Sequence, residues 1–276
     1  MKRLVWLLTL WVSFGTAIAA ETDISLDLRM DEIDYVRGER LRGVVSVKNM
    51  SPDILSVGYT NSTDQLFVEV YRAADMEQLD ILGTRPFVSR FRLDLNTSRK
   101  FEVFLLDHYD VQEYCRYLAK PVLIHSSRRY EGQFRAFDIV PGMDQTSALQ
   151  IFANHSGLSR EFKLVRWSRK GHEHLFIKAV DQNQSDRSWE TRDLGVMMRI
   201  TEPTLSVLPS GEVIVLHRSG PDTFTRSEFW SLPSILEFRR RDQIQDPETA
   251  GQSRVGEIYN EAGGVKPKVN PWWKFW

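Results

Sequence analysis

The chain has 276 residues and a mass of 32.1 kDa, with 42% apolar residues and 11% aromatics. That composition excludes a disordered chain and leaves room for one large or two modest cored domains. Its 36 basic and 37 acidic residues nearly cancel, so no overall field steers the molecule toward nucleic acid.

Residues 1–20 stand apart from the rest. Lys2 and Arg3 precede a mostly apolar run over 4–14, and Ala17-Ile18-Ala19 supplies an A-x-A cleavage pattern. This is the form of a secretory signal peptide, cut after Ala19 or Ala20. An uncleaved anchor is the alternative, but the run is short for a full span. No later stretch is apolar enough to cross a membrane, so no transmembrane span is expected after cleavage. Removing Lys2 and Arg3 leaves 34 basic against 37 acidic residues. The expected location is the periplasm or the extracellular space. Cys115 is the only cysteine, so an exported chain of this kind has no internal disulfide and its core must hold it together. Cys115 lies among Tyr114, Tyr117 and Leu118 and is expected to pack as a small apolar side chain.

The first element is a strand. Ile24, Leu26, Leu28 and Met30 share one parity, and Ser25, Asp27 and Arg29 the other, the period of two of a half-wet strand. Arg37-Gly38-Glu39 predicts a turn in which Gly38 takes a positive φ. The valine-rich run over 41–49 predicts the returning strand, stopped by Asn49-Met50-Ser51-Pro52. Further strands are predicted over 66–72, 87–95, 100–106, 121–125 and 132–140, with a single helical turn or loop over 73–77 and a short helix over 107–114. Pro141-Gly142 ends the series. Seven or so short strands without helical periodicity predict a β-sandwich or barrel.

The pattern Tyr35…Arg37-Gly38-Glu39…Val45-x-Val47-x-Asn49-x-Ser51 resembles the opening of bacterial immunoglobulin-like domains, of the BsuPI (proteinase-inhibitor-like) and macroglobulin types. The resemblance spans about residues 22–142. It implies an immunoglobulin-like sandwich for residues 21–142 and admits a proteinase-inhibitor-like module as one function. The tryptophan and paired cysteines of antibody domains are absent, so no antibody-like role is implied, and no inhibitory loop residues carry over. Five Asn-x-Ser/Thr sequons, at Asn49, Asn61, Asn96, Asn154 and Asn183, would matter only on a eukaryotic secretory route.

Residues 143–156 read as a polar connector, and residues 157–241 as a smaller antiparallel β domain. A hairpin is predicted from 162–167 through Arg169-Lys170-Gly171 to 174–180. Strands over 194–200, 204–208, 213–217, 223–230 and 235–238 follow, with Pro209-Ser210-Gly211 as a tight turn. The 204–218 hairpin looks like the inner part of a propeller blade, but the segment is too short for a closed propeller. Residues 242–276 are polar and aperiodic and read as a flexible tail. They end in Trp272-Trp273-Lys274-Phe275-Trp276, three of eight tryptophans within five residues.

Candidate chemistry is sparse. His172 and His174 stand at i and i+2 of a strand and so share a face, as a zinc site needs, but a third ligand such as Asp181 or His217 has no spacing to identify it. The bland reading is a pair of turn histidines. No nucleophile elbow, phosphate loop or His-Glu-x-x-His occurs, and no cofactor is expected. Trp189-Glu190 with Asp222-Thr223-Phe224 offers a carbohydrate-type surface, against simple packing at a sheet edge. Core packing accounts for Trp167 and Trp230. The aromatic terminus 272–276 needs a destination: its own domain, a membrane interface, or a partner's groove. The leading expectation is an exported, non-catalytic binding or scaffolding protein that meets a protein or envelope-surface partner through this terminus, with no role in nucleic-acid binding. A carbohydrate-active or other hydrolytic enzyme with its site in the second β domain is the alternative.

Overall fold

The computed structural model describes residues 23–59, 64–83, 86–152, 158–182 and 188–245. The fold is all-β. The first half is a sandwich. Strands β1 (Ile24–Met30), β3 (Arg42–Asn49) and β7 (Ser98–Phe104) form one sheet in the order β1-β3-β7. The facing sheet has the order β2-β10-β8-β5, from β2 (Asp34–Val36), β10 (Arg135–Val140), β8 (Arg116–His125) and β5 (Gln65–Arg72). Strand β9 (Arg128–Glu131) adds to β8, and β4 (Leu55–Val57) pairs with β6 (Phe91–Leu93).

The period of two in β1 is realised: Ile24, Leu26 and Leu28 are buried while Ser25, Asp27 and Arg29 face water. Its register sets Leu26 opposite Val47 and Leu28 opposite Val45, so both strands bury the same parity. Leu28, Val45 and Val103 meet Val68, Val70, Ala119 and Phe137 from the other sheet in one core. Tyr117 stacks on Phe137 with ring centroids 5.5 Å apart, and Tyr35 meets the same ring edge-on at 6.1 Å.

Three features differ from the sequence-based expectation. β1 and β3 are not a simple hairpin, because the chain crosses between them to the opposite sheet, where β2 pairs parallel with β10. A three-residue strand is too short to show a period. The helix predicted over 107–114 reduces to a 3-10 turn, Leu105–Asp107. Pro121 lies inside β8, where proline removes a donor. The strand tolerates it because β8 pairs with β10 through Ala119 and with β9 from Val122 onward, so Pro121 falls where the partner changes. Cys115 is half-buried and packs on this first core.

The second half is also two-layered. Its first sheet is a meander of β11 (Met143–Ile151), β12 (Ser159–Arg169), β13 (His172–Asp181) and β14 (Ser188–Val196). Its second is a meander of β15 (Thr204–Val207), β16 (Glu212–Arg218), β17 (Phe224–Leu232) and β18 (Ile235–Ile244). Phe162, Leu164, Leu175 and Ile177 from one sheet pack on Val213, Val215 and Phe229 from the other. The expected turn at Lys170-Gly171 has both residues at positive φ, 52° and 80°, the signature of a two-residue hairpin. A buried ion pair, Arg160 to Asp181 at 2.7 Å, ties this meander to the next, since Arg160 also donates to Ser231 Oγ and to the Leu232 carbonyl.

The segment expected as a connector over 143–156 instead contributes β11, which pairs with β12 from Met143 to Ile151. Its side chains are mostly exposed on both faces, so backbone pairing holds it and no hydrophobic period marks it. At the other end β18 runs to Ile244, three residues into the span read as tail. The remaining tail, 246–276, lies outside the described residues, and so does the aromatic terminus.

Candidate functional site

The two sandwiches meet on the outer face of the β11–β14 sheet. Alternation along β13 puts Leu175, Ile177 and Ala179 into the second core, and turns His174, Phe176 and Lys178 the other way. Phe176 and Val165 of β12 pack with Val36 of β2 into a small shared apolar cluster, flanked by Val140 and Trp167. Trp167 therefore packs at the junction, outside the two sandwich cores.

A polar clasp surrounds that cluster. Arg169, at the end of β12, donates to both Glu39 carboxylate oxygens at 3.0 and 2.8 Å, to the Asp34 carbonyl at 2.8 Å and to Asp193 at 3.3 Å. Its side chain is only 7% exposed. Burial raises the Glu39 carboxyl above its ordinary range, and the Arg169 guanidinium pulls back against that shift. Glu39 also accepts from the Val36 amide at 3.1 Å, closing the Arg37-Gly38-Glu39 turn, with Gly38 at φ 84° as its sequence requires. Thr191 of β14 donates its hydroxyl to the Arg37 carbonyl at 2.8 Å and its amide to the Gly38 carbonyl at 3.2 Å. Lys170 reaches Glu32 at 2.8 Å. The charged turn near the chain's start is thus the plug that the second sandwich grips.

His174 belongs to this clasp, with Nδ1 2.9 Å from Asp193, while His172 sits exposed at the hairpin turn. The structure does not bring His172 and His174 onto one shared partner. Among the described residues no group of three His, Cys, Asp or Glu side chains is arranged to hold an ion. Asp181, one suggested third ligand, is committed to Arg160, and His217 is buried in β16. Trp272, Trp273, Lys274, Phe275 and Trp276 lie outside the described residues, as does the Trp189 side chain. Phe224 is half-buried with Arg218 packed over its ring at 5.6 Å.

Beside the clasp lies a cleft of about 730 Å³ between the two sandwiches. Arg37 and Tyr114 line it from the first, and Asp144, Lys163 and Lys178 from the second. Pro141-Gly142 forms its floor, where the chain passes from one sandwich to the other. Gly142 has φ 73°, and a Cβ there would lie 3.1 Å from Val165, so glycine lets the link run flat against β12. Lys178 is 7% exposed and donates to the Pro141 carbonyl at 3.2 Å. Burial, with help from Arg37 and Lys163, pushes its ammonium down to about 8, against the pull of Asp144. The Arg37 guanidinium lies 4.7 Å above the Tyr114 ring, a cation–π contact.

None of the three cations stands out by motif. The one available signal was Lys178 itself, a lone lysine inside the apolar run Leu175–Val180. Its neighbours come from the Pro141 link, β11, β12 and the Arg37 turn, which only the fold brings together.

Neither a family model nor a curated protein matches the chain. Among solved structures, Spo0M, a sporulation control protein from Bacillus subtilis, aligns over 87% of this chain and 98% of its own at 11% identity, with a TM-score of 0.30.

Proposed function

We propose that the protein is an exported, non-catalytic binding or scaffolding protein of a bacterial envelope or the extracellular space, with its ligand seated in the junction cleft. The observation that carries this reading is the cleft itself. One wall is formed by strands β11, β12 and β13 of the second sandwich and the other by the Arg37 turn and Tyr114 of the first, and the Arg169 clasp fixes that turn against the second sandwich. A seat built on rigid elements loses little freedom when a ligand enters it. The basic start, apolar run and A-x-A pattern of residues 1–20 support export. Trp272, Trp273, Lys274, Phe275 and Trp276 are proposed as a second contact, to a partner or an envelope surface, because so many tryptophans in a polar segment favour a docked state.

The test is what co-purifies with the full chain from its native compartment, read by mass spectrometry. Asp144→Trp, on the exposed strand β11, places a bulky ring in the cleft mouth. The variant is expected to keep the wild-type melting temperature and to lose the retained component. Equal retention by both proteins would contradict the seat. Deleting 265–276 is expected to lower retention on envelope membranes and leave the component bound in the cleft.

A further inference from the structure

The junction cleft gathers three cations, and the protein itself neutralises one of them. Lys163 has Glu161 at 3.3 Å. Lys178 has the Pro141 carbonyl and no carboxylate at ion-pair distance among the described residues. The Arg37 side chain has the Tyr114 ring, and its Nε is buried without a hydrogen-bond partner among the described residues. A buried donor left unmatched calls for a reason, since such groups are costly.

The strand register sharpens the point. Lys163 on β12 stands directly opposite Lys178 on β13, and Lys178 directly opposite Thr191 on β14. Like charges facing each other across a ladder destabilise a sheet, and Arg37 adds a third positive charge from the other sandwich. Residues that break a local rule without an internal compensation mark a place where function sets the sequence. The carboxylates relieve it only in part: Asp181 is held by Arg160 and Glu161 by Lys163, while Asp144 acts on Lys178 from the edge strand without an ion pair among the described residues.

We propose that the cleft binds an oxyanion, a phosphate or carboxylate group, between the Arg37 guanidinium and the Lys178 ammonium. The proposal rests on the reading of the cleft as the ligand seat and names the chemistry of what sits there. The guanidinium rests over the Tyr114 ring, with its Cζ 4.7 Å from the ring centroid, and its planar fork is suited to two parallel bonds to one anionic group. Lys178 supplies a compact point charge from below, and Thr191 beside it keeps the backbone of the Arg37 turn in place through the bonds already described. The groups facing Lys178 are Arg37, Lys163 with its Glu161, and Asp144, so the anion completes a set that is one negative charge short at its centre.

The experiment is calorimetric titration of the full-length exported chain with inorganic phosphate and with citrate, at constant ionic strength held by chloride. Saturable binding of at least one probe is expected, and the tighter probe identifies the group. Lys178→Met and Arg37→Gln are each expected to weaken binding about tenfold or more, the worth of one charge-assisted contact. Asp144→Asn removes the competing charge and is expected to tighten binding several-fold, an effect that misfolding cannot imitate. Arg128→Gln, which changes net charge equally on the exposed strand β9, is expected to leave affinity unchanged. Citrate affinity should fall as pH rises through about 8, where Lys178 loses its proton, and this dependence should vanish in Lys178→Met. The proposal is overturned if neither probe binds the wild type, or if Lys178→Met and Arg37→Gln bind as the wild type does. It is also overturned if the Asp144→Trp variant loses a co-purifying component that proves uncharged. In that last case the seat itself would survive.

Discussion

Asn49 is fully buried at the end of β3, although its sequence context makes it a formal sequon. Its Nδ2 donates to the Asp53 carbonyl at 2.8 Å and the Leu93 carbonyl at 3.2 Å, and its Oδ1 accepts from the Ser51 amide and hydroxyl. The Val45-x-Val47-x-Asn49-x-Ser51 pattern therefore has a mechanical meaning: two valines fill the core and one amide ties the strand end to β6 and the next loop. The folded chain offers no glycan acceptor at that position. Asn49→Ala would leave buried carbonyls without donors. An expected loss of about 2–3 kcal/mol should appear as a lower urea midpoint with an unchanged slope. A variant within a few tenths of the wild type would show that water replaces the amide.

At the scale of elements, β13 does two jobs with its two faces. Leu175, Ile177 and Ala179 build the second core, while Phe176 and Lys178 build the junction. A strand buried on both faces reads as a continuous apolar run, and Leu175–Val180 does so with one lysine inside it. The link before β11 is as constrained. Gly142→Ala would force a Cβ to within 3.1 Å of Val165 and hold an L residue at φ 73°. The expected cost is about 1–2 kcal/mol, measured by thermal unfolding, with phosphate or citrate binding weakened because the cleft floor shifts. A variant as stable as the wild type would mean that the link is free to move off β12.

These elements also show what could be read in advance. β1 was legible because one face is wet and one dry, and the Lys170-Gly171 and Gly211 turns because only certain residues tolerate positive φ. β11 was not legible, since a strand exposed on both faces carries no period. β2 was too short to carry one. The second sandwich was visible as strands and not as two layers, because facing is a tertiary property. The clasp escaped for the same reason: Glu39 and Arg169 lie 130 positions apart, and nothing local in either pairs them.

For the whole molecule, the junction is what turns two small sandwiches into one body with a cleft. Arg169 holds it from inside, with Glu39 and Asp193 as its counter-charges and the Asp34 carbonyl as a further acceptor. Removing one partner of a buried charge set strands the others, a loss of about 3–5 kcal/mol. That loss falls between the sandwiches and spares both cores. Arg169→Met keeps most of the apolar stem and removes only the charge and its bonds. Scanning calorimetry of the wild type and Arg169→Met tests the account most directly. The wild type is expected to unfold in one cooperative transition, and the variant in two, one for each sandwich, with the cleft lost before either core melts. A variant that unfolds in a single transition at the wild-type temperature would contradict the claim that this clasp joins the two halves.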